Sequence, residues 1–299
     1  MNRRIGTDAG LRVRMFLTMF LLAVVYAAFV LVLLRMGVSV VLVIVIAAAL
    51  LGLQYYFSDQ LILLSVGARQ VSEQEEPRLH DIVGRLAQMA GLPKPGVAVI
   101  DTDAPNALAT GRNPRHSVVA VTSGLLRRLS PEEVEAVLAH ELSHVVHRDV
   151  AVMMMATFFS TVASFLVQFG LWGGLGYGSR GRDRSGGGGS AAIVLIVSAA
   201  VWVISFVLIR TLSRYREYEA DRGSALITGR PATLASALLK ISDQTQRIPD
   251  QDLRQVEAAS ALLIFPTFTR GSLAELFSTH PSLQHRVARL QAMEKRLAE

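Results

Sequence analysis

Residues 140–144 carry the pattern in this chain that is best suited to chemistry, His-Glu-Leu-Ser-His. Two histidines four residues apart project from one face of a helix, so both imidazoles can reach the same metal ion. Glu141 lies beside the first histidine, where its carboxylate can hold a water on that metal without being a ligand. This H-E-x-x-H pattern is typical of zinc hydrolases.

Local features predict a helix around this motif. Ser130 is a suitable N-cap, Pro131 suits the first helical position, and Glu133 completes a capping box. An apolar stripe at helical spacing lies roughly opposite the two histidines and consists of Val134, Leu138, Leu142 and Val145. We therefore expect the stripe to pack on a core and the histidines to face a cleft. The alternative is an ordinary helix with two solvated histidines.

Composition and hydropathy indicate a membrane protein. The chain is 51% hydrophobic, its mean hydropathy is +0.39, and its formal net charge is +6. Four apolar runs have about the 20 residues that are needed to span a bilayer. They are residues 15–34, 37–57, 151–175 and 191–209.

Arginines beside the apolar runs predict the orientation. Those before the first run are Arg3, Arg4, Arg12 and Arg14, and those after the fourth are Arg210, Arg214 and Arg216. By the positive-inside rule, the N-terminus and both non-membrane regions are expected in the cytoplasm. Arg180, Arg182 and Arg184, in the Gly-rich loop between the last two runs, are the contrary sign. The basic residues show no basic-aromatic pattern, so we expect no nucleic-acid partner.

The two regions outside the membrane show recognisable elements. Residues 77–89 and 125–129 are predicted to be helical, and strands are predicted at 96–101, 107–110 and 117–121. The fourth apolar run is expected to continue as a helix to Ser224, followed by helices over residues 232–245, 253–262 and 282–298. The remaining histidines have no ligand spacing: His147 is expected to be structural, and His80, His116 and His285 to be solvated.

A catalytic zinc needs a third protein ligand beyond the two histidines. The chain has no cysteine, so the ligand must be His, Asp or Glu. Glu217 and Asp221 are four apart and share a helix face, which allows Glu217 to bind the metal and Asp221 to support a ligand histidine. Glu219 points to the other side. Alone, this segment also fits a helix of mixed charge in which Arg214 and Arg216 pair with the acids; with the motif, we favour the metal interpretation.

Taken together, these motifs resemble the HtpX membrane zinc metalloproteases and the related Ste-type CAAX prenyl proteases. The segment 106–111, Asn-Ala-Leu-Ala-Thr-Gly, is similar to the N-A-F-A-T-G segment of HtpX, with Leu108 in place of the aromatic residue. Residues 119–126 resemble its V-A-V-x-x-G-L-L stretch, and Thr279-His280-Pro281 with Leu283 and Arg286 resembles its S/T-H-P-x-L-x-x-R ending. The resemblance covers essentially the whole chain.

The resemblance implies a mainly α fold with a small β-sheet, in which four transmembrane helices carry a cytoplasmic zincin-like domain. The expected regions are an N-terminal hairpin (1–57), a catalytic region (58–150), a second hairpin (151–209) and a helical region that completes the site (210–299). The localisation implied is the cell (inner) membrane, multi-pass, with the N-terminus in the cytoplasm.

The resemblance also implies an endopeptidase with one zinc per chain. His140, His144 and Glu217 would bind zinc, Glu141 would act as general base, and Asp221 would orient His140. An edge strand would hold the substrate through residues Asn106, Ala107, Leu108 and Ala109. His280 and Arg286 could stabilise the oxyanion or bind substrate backbone, and His280 fits equally well as a residue at a helix N-terminus.

The implied partners are the lipid bilayer and protein substrates, with a role in quality control of misfolded or damaged membrane proteins. The alternatives that share the site are a CAAX-type prenyl protease and a zinc-binding membrane protein without protease activity. A site-2 type protease is disfavoured because residues 131–149 hold too many charges for a membrane span. A zinc transporter is disfavoured because three of the four apolar runs have almost no polar ligands.

Overall fold

The computed structural model describes residues 8–35, 40–176, 187–245 and 281–299. The helices of these segments are α1 (Ala9–Arg35), α2 (Val40–Ser65), α3 (Pro77–Ala90), α4 (Ser123–Arg128), α5 (Pro131–Val146), α6 (Asp149–Gly176), α7 (Gly187–Thr228), α8 (Pro231–Thr245) and α9 (Leu283–Ala298). The strands are β1 (Ala68–Gln70), β2 (Gly96–Ile100), β3 (Ala107–Gly111) and β4 (Ser117–Thr122), with a 3-10 turn at Pro114–His116.

These elements confirm most of the sequence prediction, with boundaries that shift by one or two residues at most positions. The three predicted strands are β2, β3 and β4, and the fourth apolar run does continue as a helix, to Thr228. Strand β1 was not predicted; its three residues are too few to show an alternating pattern. The helix predicted at residues 253–262 lies outside the described residues.

The strands form one mixed four-stranded sheet in the order β1-β2-β4-β3. The central pair, β2 and β4, is parallel, while β1 and β3 pair antiparallel at the two edges. Every residue of β4 is buried, which suits the apolar run Val118–Val121 in a strand that is covered on both faces. Within the part of the chain that the structure describes, β3 is an edge strand that pairs on one side with β4.

The two faces of the sheet belong to different cores. Val119 and Val121 of β4 join the larger core, which contains buried residues of α3, α5, α8 and α9. Val118 and Ala120 face the other way and pack with Leu63 and Val66 at the end of α2. This alternation is the period of two that a strand imposes on its side chains. The larger core gives α5 its packing surface.

The described residues form two compact units. The first consists of residues 8–11, 56–151, 213–245 and 281–299, and the second of residues 12–35, 40–55, 152–176 and 187–212. In the second unit α1, α6 and α7 pack through an apolar cluster that includes Phe29, Ala163 and Val201. There Tyr26 Oη donates a hydrogen bond to the backbone oxygen of Ala156 over 2.6 Å.

Among the described residues, the number of candidate membrane spans is two to three rather than the four predicted. Helices Ala9–Arg35 and Leu195–Thr228 are long and apolar enough to cross a membrane. The third candidate is Asp149–Ser164, which passes this test only when it is joined to Pro131–Val146 as a bent pair. The four-span prediction counted each apolar run as a separate crossing, although a run of suitable length does not fix how its helix is used.

Candidate metal centre

Local capping and tertiary contacts together hold α5 in place. The predicted capping box is present: Glu133 N donates to Ser130 Oγ over 3.3 Å, and Ser130 N donates to Glu133 Oε2 over 2.9 Å. The same carboxylate accepts hydrogen bonds from Ser236 Oγ at 2.8 Å and Lys240 Nζ at 2.9 Å, both on α8. The four residues of the predicted apolar stripe are all buried in the larger core. The rotation of α5 about its axis is fixed as a result.

Two histidines of α5 and one glutamate of α7 converge between these helices. His140 Nε2 lies 3.2 Å from His144 Nε2, and Glu217 Oε2 and Oε1 lie 3.6 Å from these two nitrogens respectively. One ligand atom from each residue lies within 4.8 Å of the others, so the group could hold a metal ion. Ligands around a tetrahedral zinc ion are separated by about 3.3 Å, so the observed spacing fits such an ion. The predicted third ligand, Glu217, is thus at the required position.

Glu219, which was not expected to bind the metal, lies away from the ligand group. Its Oε1 accepts a hydrogen bond from Arg222 Nη1 over 3.0 Å and lies 3.8 Å from His147 Nε2. His147 also caps the end of α5, with Nδ1 at 2.7 Å from the Ser143 carbonyl oxygen. These contacts agree with a structural role for His147 and with the orientation predicted for Glu219.

Asp221 and Arg286 lie directly behind the ligand group. Asp221 Oδ1 is 3.1 Å from His140 Nδ1, the nitrogen that faces away from Glu217 and His144. Arg286 of α9 is 2% exposed and donates to both oxygens of Asp221, from Nε over 3.0 Å and from Nη2 over 2.6 Å. Its third nitrogen, Nη1, lies 3.2 Å from Glu217 Oε2. Arg286 therefore contacts two carboxylates of the site within the interior.

The close approach of α5 and α7 depends on a glycine. A Cβ added to Gly223 would lie 1.9 Å from Ser143 Oγ and 2.6 Å from Ser143 Cβ, closer than atoms can approach. One residue later, Ser224 Oγ donates to the backbone oxygen of Ala136 over 2.8 Å. Because Gly223 is two residues after Asp221, this contact sets the depth at which the carboxylates meet the histidines.

Gly223→Ala should therefore destabilise the protein although alanine is the better helix former. Helix propensity favours alanine by about 1 kcal/mol, whereas overpacking costs about 1–3 kcal/mol and here forces two helices apart. We expect a lower thermal unfolding midpoint for the detergent-solubilised protein. The control is Gly84→Ala in α3, where the nearest atom, Lys94 Cε, is 3.8 Å away; this change should raise the midpoint. An unchanged midpoint for Gly223→Ala would contradict the close-contact argument.

The electrostatics of the group favour positive charge between the ligands. Burial lowers the pKa of His140, but the hydrogen bonds to Asp221 and Glu217 outweigh it and raise the pKa to about 9. Burial lowers the pKa of His144 to about 4, against the attraction of Glu217. Burial lowers the pKa of Arg286 as well, but the charges of Asp221 and Glu217 reverse that shift and raise it. A metal cation bound here would replace the proton on Nε2 of His140, the nitrogen that faces Glu217.

Glu141 is buried beside the group without belonging to it. The residue is 1% exposed, and among the described residues its Oε1 has no hydrogen-bond partner. Burial raises the pKa of Glu141, while the two histidines and a hydrogen bond from the backbone of Ala109 act to lower it. Because Ala109 belongs to β3, the edge strand borders this carboxylate.

The remaining predicted residues have different outcomes. Residues Asn106, Ala107, Leu108 and Ala109 are all buried, and the last three belong to edge strand β3. His280 lies outside the described residues.

His116 and His285 are exposed as predicted, but the prediction for His80 was wrong, because His80 is buried and its Nε2 lies 2.9 Å from the Val71 carbonyl oxygen. That partner is on a neighbouring segment, so no local spacing indicated it.

The sequence did not single out Asp149, although it touches a ligand. Its Oδ2 lies 2.6 Å from His144 Nδ1, and its other oxygen pairs with Arg216. The separation of five residues from His144 is not a helical contact distance. A change of chain direction after α5 produces this contact, and only the structure shows it.

Comparison with known proteins places the chain in a family. The sequence model of peptidase family M48 matches residues 73–294 of this chain. A protease HtpX homolog from Moorella thermoacetica is 55% identical, covering 100% of this chain and 99% of that protein. Protease HtpX homolog 2 from Methanosarcina acetivorans is 50% identical, covering 100% of both chains. The crystal structure of Ste24p from S. mikatae has a similar fold, with a TM-score of 0.56 and 17% identity over 93% of this chain and 67% of that one.

The His-His-Glu group on an H-E-x-x-H helix, in a chain with candidate membrane spans, defines a membrane metalloendopeptidase. The chain belongs to peptidase family M48, as a homologue of the HtpX proteases.

Proposed function

We propose that this metalloendopeptidase uses a single zinc ion, held by His140, His144 and Glu217. The convergence of these three side chains at the spacing of tetrahedral ligands is the observation that carries the proposal. Two imidazoles and one carboxylate are a ligand set that catalytic zinc sites use, with a fourth position left for water. Calcium and magnesium prefer oxygen ligands and are less suited to this group.

Glu141 acts as the general base and then as the general acid. Zinc in this site would lower the pKa of a water molecule and polarise the scissile carbonyl. Glu141 accepts a proton as the water oxygen bonds to the carbonyl carbon, and it delivers that proton to the amide nitrogen as the C–N bond breaks. Burial raises the pKa of Glu141 above that of an ordinary glutamate, which favours a carboxyl that can accept a proton and release it again.

Strand β3 is the proposed binding site for the substrate backbone. It is an edge strand, and the backbone of Ala109 reaches the Glu141 carboxylate. An extended peptide can add to such an edge by main-chain hydrogen bonds, which places its carbonyl groups beside Glu141. Main-chain pairing requires little of the side chains, which supports misfolded or damaged membrane proteins as the substrates.

Arg286 is proposed to act within the site rather than on the substrate. Its guanidinium is buried and is committed to Asp221 and Glu217. In this position it compensates the charge of both carboxylates and fixes their orientation, so that Asp221 can hold His140 in the tautomer whose Nε2 faces the metal. Of the two residues proposed from the family's C-terminal motif, Arg286 thus has an internal role.

Metal analysis combined with a proteolysis assay tests this function. We expect the purified, detergent-solubilised chain to contain one zinc per molecule and to cleave an unstructured model protein. Removal of the metal with a chelator should abolish cleavage, and stoichiometric zinc should restore it, whereas magnesium should not. Cleavage that persists after the metal has been removed would contradict the proposal and favour a metal-independent peptidase.

We also propose that the metal centre lies in the cytoplasm. Arg214 and Arg216 follow the apolar part of α7, directly before and beside the third ligand, Glu217. The two ligand-bearing segments must share one side of the membrane, because zinc ligation requires contact. An even number of crossings must therefore separate His144 from Glu217.

Reporter fusions test this orientation. A reporter that is active only in the cytoplasm should be active after Gly111 and after Glu299, and one that is active only outside should be active near Gly187. If the fusion near Gly187 reports the cytoplasm while the other two still do, α6 and α7 do not cross as full helices. If the fusions after Gly111 and Glu299 report the outside and the fusion near Gly187 reports the cytoplasm, the proposed orientation is reversed.

A further inference from the structure

The second ligand histidine has its own carboxylate partner. Asp149, the first residue of α6, is buried, and its Oδ2 lies 2.6 Å from His144 Nδ1. The opposite ring nitrogen, Nε2, faces His140 Nε2 and Glu217 Oε1. We propose that Asp149 is the positioning residue of His144, which it holds in the tautomer and ring orientation that present Nε2 to the metal. The inference rests on the proposed zinc site and adds a residue to it.

Arg216 completes this arrangement. Its side chain is 5% exposed and pairs with Oδ1 of Asp149, the oxygen that does not face His144. The guanidinium occupies Oδ1 as a charge partner and leaves Oδ2 to accept the Nδ1 proton. The first ligand has the same sequence of groups, since His140 contacts Asp221 and Asp221 contacts Arg286. Each metal histidine is thus supported by a separate imidazole–carboxylate–guanidinium series.

The backbone before Asp149 is shaped for this contact. Helix α5 ends at Val146, and Arg148 has a φ of 54°, in the left-handed region that residues with side chains rarely adopt. In an uninterrupted helix, a residue five positions after His144 would point about 140° away from it around the axis. The left-handed turn brings Asp149 back onto the imidazole. Backbone strain that is retained beside a candidate site supports a role in positioning.

The test measures metal affinity rather than cleavage. The full chain in detergent, carrying Glu141→Gln to prevent self-cleavage, is titrated with zinc in competition with a chromophoric chelator. Asp149→Asn should weaken zinc binding roughly 10- to 100-fold, as loss of a ligand's hydrogen-bonding partner does. Asp221→Asn, which removes the partner of the other histidine, should weaken it by a similar factor. The control Asp103→Asn, which disrupts a surface ion pair with Arg127, should leave the affinity unchanged.

Asparagine at position 149 separates positioning from helix capping, because Asn stabilises a helix N-terminus as well as Asp does. A residue that only caps α6 would tolerate the change without loss of zinc affinity. The absorption bands of bound Co(II) provide a second measurement: they should shift in Asp149→Asn because His144 becomes a weaker donor, whereas a capping role would not move them. If Asp149→Asn lowers the unfolding midpoint of the metal-free protein, Asp149→Glu serves as the second variant. It keeps the charge beside Arg216 but displaces the carboxylate oxygens, so it should also weaken zinc binding.

The outcomes distinguish this inference from the zinc site itself. Unchanged zinc affinity in Asp149→Asn and Asp149→Glu, with weaker binding in Asp221→Asn, would overturn the role of Asp149 and leave the site intact. Absence of zinc binding by the parent chain would overturn the site and, with it, the inference. Weaker binding in both Asp149 variants, with an unaltered unfolding midpoint and shifted Co(II) bands, would confirm the positioning role.

Discussion

Replacing Glu141 with glutamine should abolish nearly all peptide cleavage and leave zinc bound. The amide has the shape of the carboxylate but cannot accept a proton from the attacking water. A positioned acid–base group contributes about 10²- to 10⁴-fold to the rate, and Glu141 is expected to serve in both directions of proton transfer. Zinc should remain because the three ligand side chains are unchanged. Self-cleavage during purification should stop for the same reason.

Turnover of an unstructured protein substrate and zinc content per chain are measured together on the same preparations. Glu132→Gln is the matched control, because Glu132 lies on the same helix but is exposed in its first turn. Its activity should equal that of the parent chain. Full activity in Glu141→Gln would refute the assignment of the base, and loss of zinc in that variant would mean that Glu141 is a ligand.

Glu217→Ala is expected to have the largest effect on metal binding. Loss of a partner behind a ligand costs about 10- to 100-fold in affinity, so removal of a ligand itself should exceed this. The two histidines that remain offer too few donors to hold zinc against competing chelators. We expect Arg286 to keep its two hydrogen bonds to Asp221 in this variant, so that the charge of the Asp221 carboxylate stays compensated.

Glu219→Ala is the control for this variant. Both glutamates are buried on α7, two residues apart, but Glu219 contacts His147 and Arg222 instead of the ligand histidines. We expect Glu219→Ala to retain zinc and activity, and Glu217→Ala to lose both. Zinc content that follows Glu219 would mean that the face of α7 directed at the metal was assigned incorrectly.

Features that depend on neighbours within one helix or strand could be predicted from the sequence. The capping box at Ser130, the buried stripe of α5 and the common face of His140 and His144 all arise from interactions over three to five residues, which spacing reveals. The spacing of Glu217 and Asp221 indicated a shared face for the same reason. The strands at 96–100 and 117–122 were visible because burial on both faces requires apolar residues at successive positions.

Contacts between groups that are distant in the chain become visible only in the folded protein. The pairing of His140 with Asp221, and of Asp221 with Arg286, joins segments that are far apart in the chain, so no local pattern contains it. The burial of His80 and the contact of Asp149 with His144 follow from where the backbone turns. Gly223 is an example. A Cβ at this position would lie only 1.9 Å from Ser143 Oγ on another helix. That distance is set by the packing of the two helices and not by the residues next to Gly223 in the sequence.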